Sequence, residues 1–161
     1  MELAGLLSVS LARRYSESPE ICADRLLISF FQFMVASDAN TIPDYDSAAT
    51  LDPYLVLDFD PVSSHAKKDL KDMRTALWRD HPVILLSRTR NAHSRFIKST
   101  LQDLYIHPAP YVMDIDERPD ADILDSLFQR LMGQSELPIL LVGGEVVGGW
   151  ADVDRYVLLP P

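Results

Sequence analysis

Apolar and polar positions along the chain change rhythm twice. In residues 1–36, Leu3, Leu6, Leu7 and Leu11 recur at helical spacing, and so do Leu27, Phe31 and Met34, which predicts helix on either side of a break. Ser18-Pro19-Glu20 supplies the second start, with Ser18 as cap and Pro19 in the first turn. Residues 37–53 hold Asp38, Pro43, Asp44, Asp46, Asp52 and Pro53 without a Lys or Arg, and read as an acidic linker. From residue 54 onward strand and helix patterns alternate. Residues 54–59 fit a short strand or lead-in. Ala66, Leu70, Met73 and Leu77 share one face of a helix over about 62–80. Residues 82–86 are a continuous apolar run, the mark of a strand buried on both faces. Phe96, Ile97, Leu101 and Leu104 predict the next helix, 110–115 a second strand, and Ile123, Leu124, Leu127, Phe128 and Leu131 a third helix stopped by Gly133. Strands at 138–142 and 145–147 meet at Gly143-Gly144, and a short helix starts near Trp150. A β-α-β start implies a parallel central pair with helices on both faces.

Composition narrows the function classes. The chain has 161 residues, 47% of them apolar, enough for a packed core. A net charge of −9 argues against sequence-independent binding of nucleic acid, which needs a basic surface. Cys22 is the only cysteine, so an internal disulfide, a Cys-x-x-Cys pair and a Cys-rich zinc site are all excluded. Cys22 is read as a small buried apolar residue, with pairing between chains as the alternative. The most apolar stretch, 26–36, is shorter than the about 20 residues a membrane span needs. A packed helix is one reading of it. A signal or anchor is another, against which stand Glu17, Glu20 and Asp24.

Three segments resemble the glutaredoxin family. Pro82-Val83-Ile84-Leu85-Leu86-Ser87-Arg88-Thr89-Arg90-Asn91-Ala92-His93-Ser94 resembles the family's first core strand and active-site loop, usually Ser-Lys-Thr, one variable residue, then Cys-Pro-Tyr-Cys or Cys-Gly-Phe-Ser. Val112 to Asp116, followed by Asp120 to Gln134, resembles the next strand, helix and Gly-Gln turn. Glu136-Leu137-Pro138, Gly143-Gly144 and Gly148-Gly149 resemble the family's Thr-Val-Pro and paired-glycine signature. The match covers about 62–155. It implies an α/β, thioredoxin-like fold: a four-stranded mixed sheet flanked by helices, as a domain over 54–161 preceded by a helical or poorly ordered extension (1–36) and the linker (37–53). Monothiol members of fungal type are the most similar kind.

The resemblance also implies a ligand groove. Pro138 falls at the family's cis-proline and Leu137 beside it, where backbone groups pair with a bound peptide or thiol compound. Gly148 and Gly149 permit close backbone approach and open the last helix, whose N–H groups can hold a carboxylate of glutathione. Arg88 matches a lysine that contacts the ligand's other carboxylate, and Asp152 matches the family's next acidic residue. Purely structural roles for Pro138 and the glycines are equally open. Residues 151–159 leave only about two turns for the last helix, where the family's is longer.

The departure lies at the chemistry. Asn91 falls at the nucleophilic cysteine and Ser94 at the second cysteine, while Ala92 replaces the active-site proline and Ala151 an acidic or hydroxyl residue. Disulfide exchange and iron–sulfur ligation both need a thiolate, which an amide cannot supply. Asn91 has a plain use as helix N-cap. His93 beside Ser94 reads as solvent-facing rather than as a hydrolytic pair. Arg88, Arg90, Arg95 and Lys98 form a basic stretch that either holds an anion or is a solvated helix face. The acidic residues Asp114, Asp116, Glu117, Asp120, Asp122 and Asp125 lack a calcium-loop pattern, and Asp120 to Asp125 read as decoration of a helix start.

The expectation is therefore a redox-inactive glutaredoxin-like protein with no catalytic residue. It would bind glutathione, a small anion or a protein partner through Arg88, Leu137, Pro138, Gly148, Gly149 and Asp152. No metal, iron–sulfur cluster, nucleic acid or membrane span is expected. The alternatives are an active glutathione-dependent oxidoreductase using a thiol from Cys22 or a partner, and a vestigial interaction domain. The sequence does not decide compartment: cytoplasm is the first reading and the secretory pathway the second.

Overall fold

A computed structural model describes residues 19–42, 63–134 and 136–158, with side chains over 27–42, 63–134 and 136–155. The expected strand at 54–59 and the helix through Leu3 to Leu11 lie outside the described residues. The elements are α1 (Pro19–Ala36), α2 (Ala66–Asp80), β1 (Val83–Ser87), α3 (Ala92–Asp103), β2 (Tyr111–Asp114) with a 3₁₀ turn (Ile115–Glu117), α4 (Ala121–Met132), β3 (Ile139–Val142), β4 (Glu145–Gly148) and α5 (Trp150–Leu158). They form one four-stranded mixed sheet in the order β2-β1-β3-β4. β1 runs parallel to β2, β3 antiparallel to β1, and β4 antiparallel to β3 with a register shift at Leu140/Leu141. This is the thioredoxin-like α/β arrangement.

Every residue of β1 is buried, because helices cover both faces of the sheet. Side-chain alternation sorts the core. Ile84 and Leu86 pack with Ile139 and Leu141 against Phe30, Phe31 and Met34 of α1, Leu77 of α2, and Leu124, Leu127 and Phe128 of α4. Val83, Leu85 and Leu140 pack on the opposite face with Ile97 and Leu101 of α3 and Val153 of α5. The segment expected as an extension thus contributes its aromatic face to the larger cluster. Phe30 meets Phe31 and Phe128 edge to face, at centroid distances of 5.5 and 5.8 Å.

Local signals set the element ends. Gly133 closes α4 in the left-handed region at φ 67°, its N–H donating to the Gln129 carbonyl. Gly144, at φ 93°, turns β3 into β4 directly over Trp78, and a Cβ there would lie 2.8 Å from the indole Nε1. The hairpin therefore needs glycine for space as well as for conformation.

Asp120 corrects the reading of 120–125 as helix decoration. It is buried, and its carboxylate accepts from the Ile42 N–H at 2.8 Å and from Arg118 Nε at 2.9 Å. Arg118 also donates to the Asn40 carbonyl at 2.5 Å. The pair ties the chain after α1 to the start of α4, and its side chains are only 10% and 2% exposed. Removing one member strands the other charge in the interior. Asp120→Ala should cost about 3–5 kcal/mol of stability, read from the urea midpoint, and should loosen α1 in hydrogen exchange.

Tyr111 on β2 donates its hydroxyl to Asp38 at 2.8 Å and meets His81 edge to face. Burial first, then the bond to Asp38, pushes its pKa up to about 12. The fold favours the neutral phenol, so this contribution is complete below about pH 10, the ordinary tyrosine value. It is lost as pH rises through about 12. Ultraviolet titration should show one late phenol that disappears in Tyr111→Phe, and the alkaline fall in stability should shrink with it.

Candidate functional site

The carboxyl end of β1 delivers the chain into residues 88–91 and then into α3, beside the residues that precede β3. Leu86 pairs with Ile139, so Leu137 and Pro138 arrive next to this loop. The Leu137–Pro138 bond is cis, and both residues are buried.

Asn91 is the N-cap of α3 at φ −84°, ψ 128°. Its Oδ1 accepts the Ser94 N–H at 3.1 Å, and its Nδ2 donates to the Leu137 carbonyl at 3.5 Å. The first is a regular cap, and the second is long and weak. One amide thus joins the helix start to the cis-proline segment using both of its ends. Ser94 is fully buried, and its Oγ accepts from the Arg88 N–H at 3.1 Å. No hydrogen bond joins Ser94 to His93 among the described residues.

Carboxylates from β2, the 3₁₀ turn and α4 surround the loop. Ser87 Oγ donates to Asp114 at 2.5 Å, and Lys98 Nζ bonds the same oxygen at 2.5 Å. The Thr89 N–H donates to Asp116 at 2.9 Å and its hydroxyl to Glu117 at 3.0 Å. The Thr89 N–H, as the largest cause, holds the Asp116 carboxyl below its ordinary range. Arg88 pairs with Asp125 of α4 at 2.7 Å. The basic stretch is therefore partly neutralised: Arg88 and Lys98 have acidic partners, whereas Arg90 and Arg95 have no ion pair with described residues.

At the far side, Gly149 lies against the cis-proline segment, where a Cβ would be an ordinary 3.8 Å from the Pro138 carbonyl oxygen. Packing within the chain therefore does not demand glycine at 149. It does at Gly148, which has φ 129° and would clash with the Asp152 carboxylate if given a Cβ. Asp152 thus rests on Gly148 at the start of α5, a helix of 9 residues.

The structure brings Asn91, Ser94, Leu137, Pro138 and Gly149 together, sets Asp152 against Gly148, and turns the Arg88 head group to α4. Missed by sequence reasoning was an aromatic group beside the site. His93 stacks on Trp150 at 4.4 Å with planes 2° apart, and Phe96 meets Trp150 edge to face at 5.0 Å. His93 and Phe96 are three apart on α3, the one available signal. Their partner depends on the packing of α3 against α5. The Arg88–Asp125 and Lys98–Asp114 pairs likewise join segments that no local pattern connects. Among the described residues, no cluster of three potential metal ligands forms, and no helix is long and apolar enough to cross a membrane.

Comparison with known proteins adds sequence relatives. No protein-family model matches the chain. It is similar to glutaredoxin-C4 of Arabidopsis thaliana, 27% identical over 96 residues, which cover 59% of this chain and 70% of that protein. It is also similar to glutaredoxin-C8 of Oryza sativa subsp. japonica, 27% identical over 77 residues (47% of this chain, 57% of that one). Monothiol glutaredoxin-7 of Saccharomyces cerevisiae is 24% identical over 95 residues, 58% of this chain and 47% of that one. Beyond the first, the chain spans only about half the length of these relatives. Solved structures found include the holo form of glutaredoxin C1 from Populus tremula x tremuloides (TM-score 0.46, 23% identity, 53% of this chain and 83% of that one). A buckwheat glutaredoxin–glutathione complex has TM-score 0.46 and 21% identity over 60% of this chain and 86% of that one.

The cap gives a direct prediction. Asn91→Ala should remove the Ser94 N–H acceptor and the reach to Leu137, lowering stability by about 0.5–2 kcal/mol. Asn91→Asp, which keeps the cap, should lose much less in the same thermal melt.

Proposed function

We propose that the chain is a binding protein of the glutaredoxin family, without thiol chemistry at residue 91. The observation that carries this reading is the double engagement of Asn91. Its oxygen caps α3 and its nitrogen points to Leu137, so the position the resemblance gives to a nucleophile holds a structural amide. An amide nitrogen shares its lone pair with the carbonyl and neither attacks a disulfide nor ligates iron. Cys22 is the only thiol in the sequence and lies on α1.

The surroundings support a groove for a carboxylate-bearing compound, with glutathione as its type. Leu137 and Pro138 form its floor, the start of α5 at Gly148 and Gly149 offers backbone N–H groups, and Asp152 stands ready for a ligand ammonium. Arg88 supplies a guanidinium at the opposite end. A second reading, an interaction domain whose groove takes no small molecule, draws on the pairing of Arg88 with Asp125.

The test joins an assay to a gain of function. In a glutathione-dependent disulfide reduction assay the purified chain should show no turnover above background. Substantial turnover that survives Cys22→Ala would overturn the proposal. Asn91→Cys should place a sulfur where the Ser94 N–H and the start of α3 favour its anion. Its thiol should titrate below the free value of about 8.5. A value at or above that would show that this helix start does not support a thiolate.

A further inference from the structure

We propose that Asp125 is the resident counter-ion of Arg88, a carboxylate that an anionic ligand must displace to engage the guanidinium. It thereby limits how strongly the groove takes a carboxylate. The inference rests on the groove reading given above and adds to it a residue on α4 that governs affinity and charge selection.

The geometry is that of an occupied but replaceable partner. A single Arg88 nitrogen meets Asp125 Oδ2 at 2.7 Å, so the pair is one-pronged. The side chains are 43% and 32% exposed, which leaves the guanidinium open to solvent beside its partner. Asp125 Oδ1 is buried and accepts no hydrogen bond from the described residues. The carboxylate is thus half satisfied, and among the described residues its partner is Arg88. A guanidinium is best matched by a carboxylate that uses two parallel N–H donors, which Asp125 does not do. A ligand carboxylate approaching from solvent can use both prongs, but it must first overcome the attraction and then the repulsion of Asp125. Asp114, Asp116 and Glu117 are already engaged by Ser87, Lys98 and Thr89. Asp125 is therefore the carboxylate that competes for Arg88 itself.

Isothermal titration of the full chain tests this. The probes are glutathione and its analogue whose glycine carboxylate is a carboxamide. Asp125→Asn should bind glutathione about threefold to tenfold tighter than wild type, as loss of a partly exposed competing charge allows. It should leave affinity for the carboxamide unchanged. In an Arg88→Ala background the same substitution should bring little gain. Asp122→Asn removes an equal charge from an exposed position on α4 and should have a small effect. Asp125→Ser serves as a second variant should Asn disturb the helix.

If glutathione binds and Arg88→Ala weakens it, but removal of Asp125 does not tighten it, the competitor role is overturned while the groove reading stands. An equal gain from Asp122→Asn would assign the effect to a diffuse field and overturn the proposal as well. No binding of glutathione by wild type, Asp125→Asn or Asp125→Ser would overturn the groove reading and, with it, this inference.

Discussion

The burial of β1 on both faces is the constraint from which the rest of the site follows. All five residues from Val83 to Ser87 are excluded from solvent, so the strand can neither slide nor rotate without exposing one of two apolar faces. Its carboxyl end is therefore a fixed point. Two segments are registered against it: β2 in parallel, which sets Asp114 beside Ser87, and β3 antiparallel, which brings Leu137 and Pro138 alongside. The loop and α3 start from that point, and Asn91 closes the corner with its side-chain amide. A residue two positions away in sequence could not do this, since only the N-cap has both the extended backbone and the short reach to the third helical N–H.

Charge is arranged around the same point with an economy that composition hides. The sequence contains 15 basic and 24 acidic residues, and a run of basic ones near the loop suggests an anion receptor. In the fold, the acidic residues from the end of β2 onward lie beside that run. Some neutralise side chains, as Asp114 does for Lys98 and Asp125 for Arg88. Asp116 instead accepts from the Thr89 backbone N–H and fixes the loop. Partly exposed ion pairs of this sort are worth little to stability. Asp120 differs: buried with Arg118, it belongs to the architecture, and joins α1 to the sheet's covering layer.

Legibility in the sequence follows the range of the interaction that defines each feature. The apolar run of β1, the 3.6-residue rhythm of α4 with Gly133 behind it, and the Gly143-Gly144 turn are local, and each is visible as a string. The helix at Ala66–Asp80 begins on Ala66, the first residue of its apolar pattern, within the expected range of about 62–80. The need for glycine at 144 has a second cause invisible to pattern, the indole of Trp78 beneath it. The His93–Trp150 stack and the Arg88–Asp125 pair join residues 57 and 37 positions apart (150 − 93 and 125 − 88), and depend on helix placement. Motif comparison finds residues that keep their neighbours in sequence, whereas these acquire theirs only on folding.

At the start of α3 an amide and a thiolate would answer the same need of the scaffold. A thiolate is stabilised by the same unpaired N–H groups that an N-cap oxygen satisfies. Asn91 takes up that donor permanently through the Ser94 N–H, and extends its other end to the carbonyl before the cis-proline. The same side chain therefore holds the start of α3 firmly through its oxygen and reaches the segment before Pro138 only weakly through its nitrogen. A thiol in this place would leave the Leu137 carbonyl without its side-chain donor and the helix start with a weaker acceptor in its protonated form. One amide thus serves two segments that are distant in sequence, the start of α3 and the residues before β3.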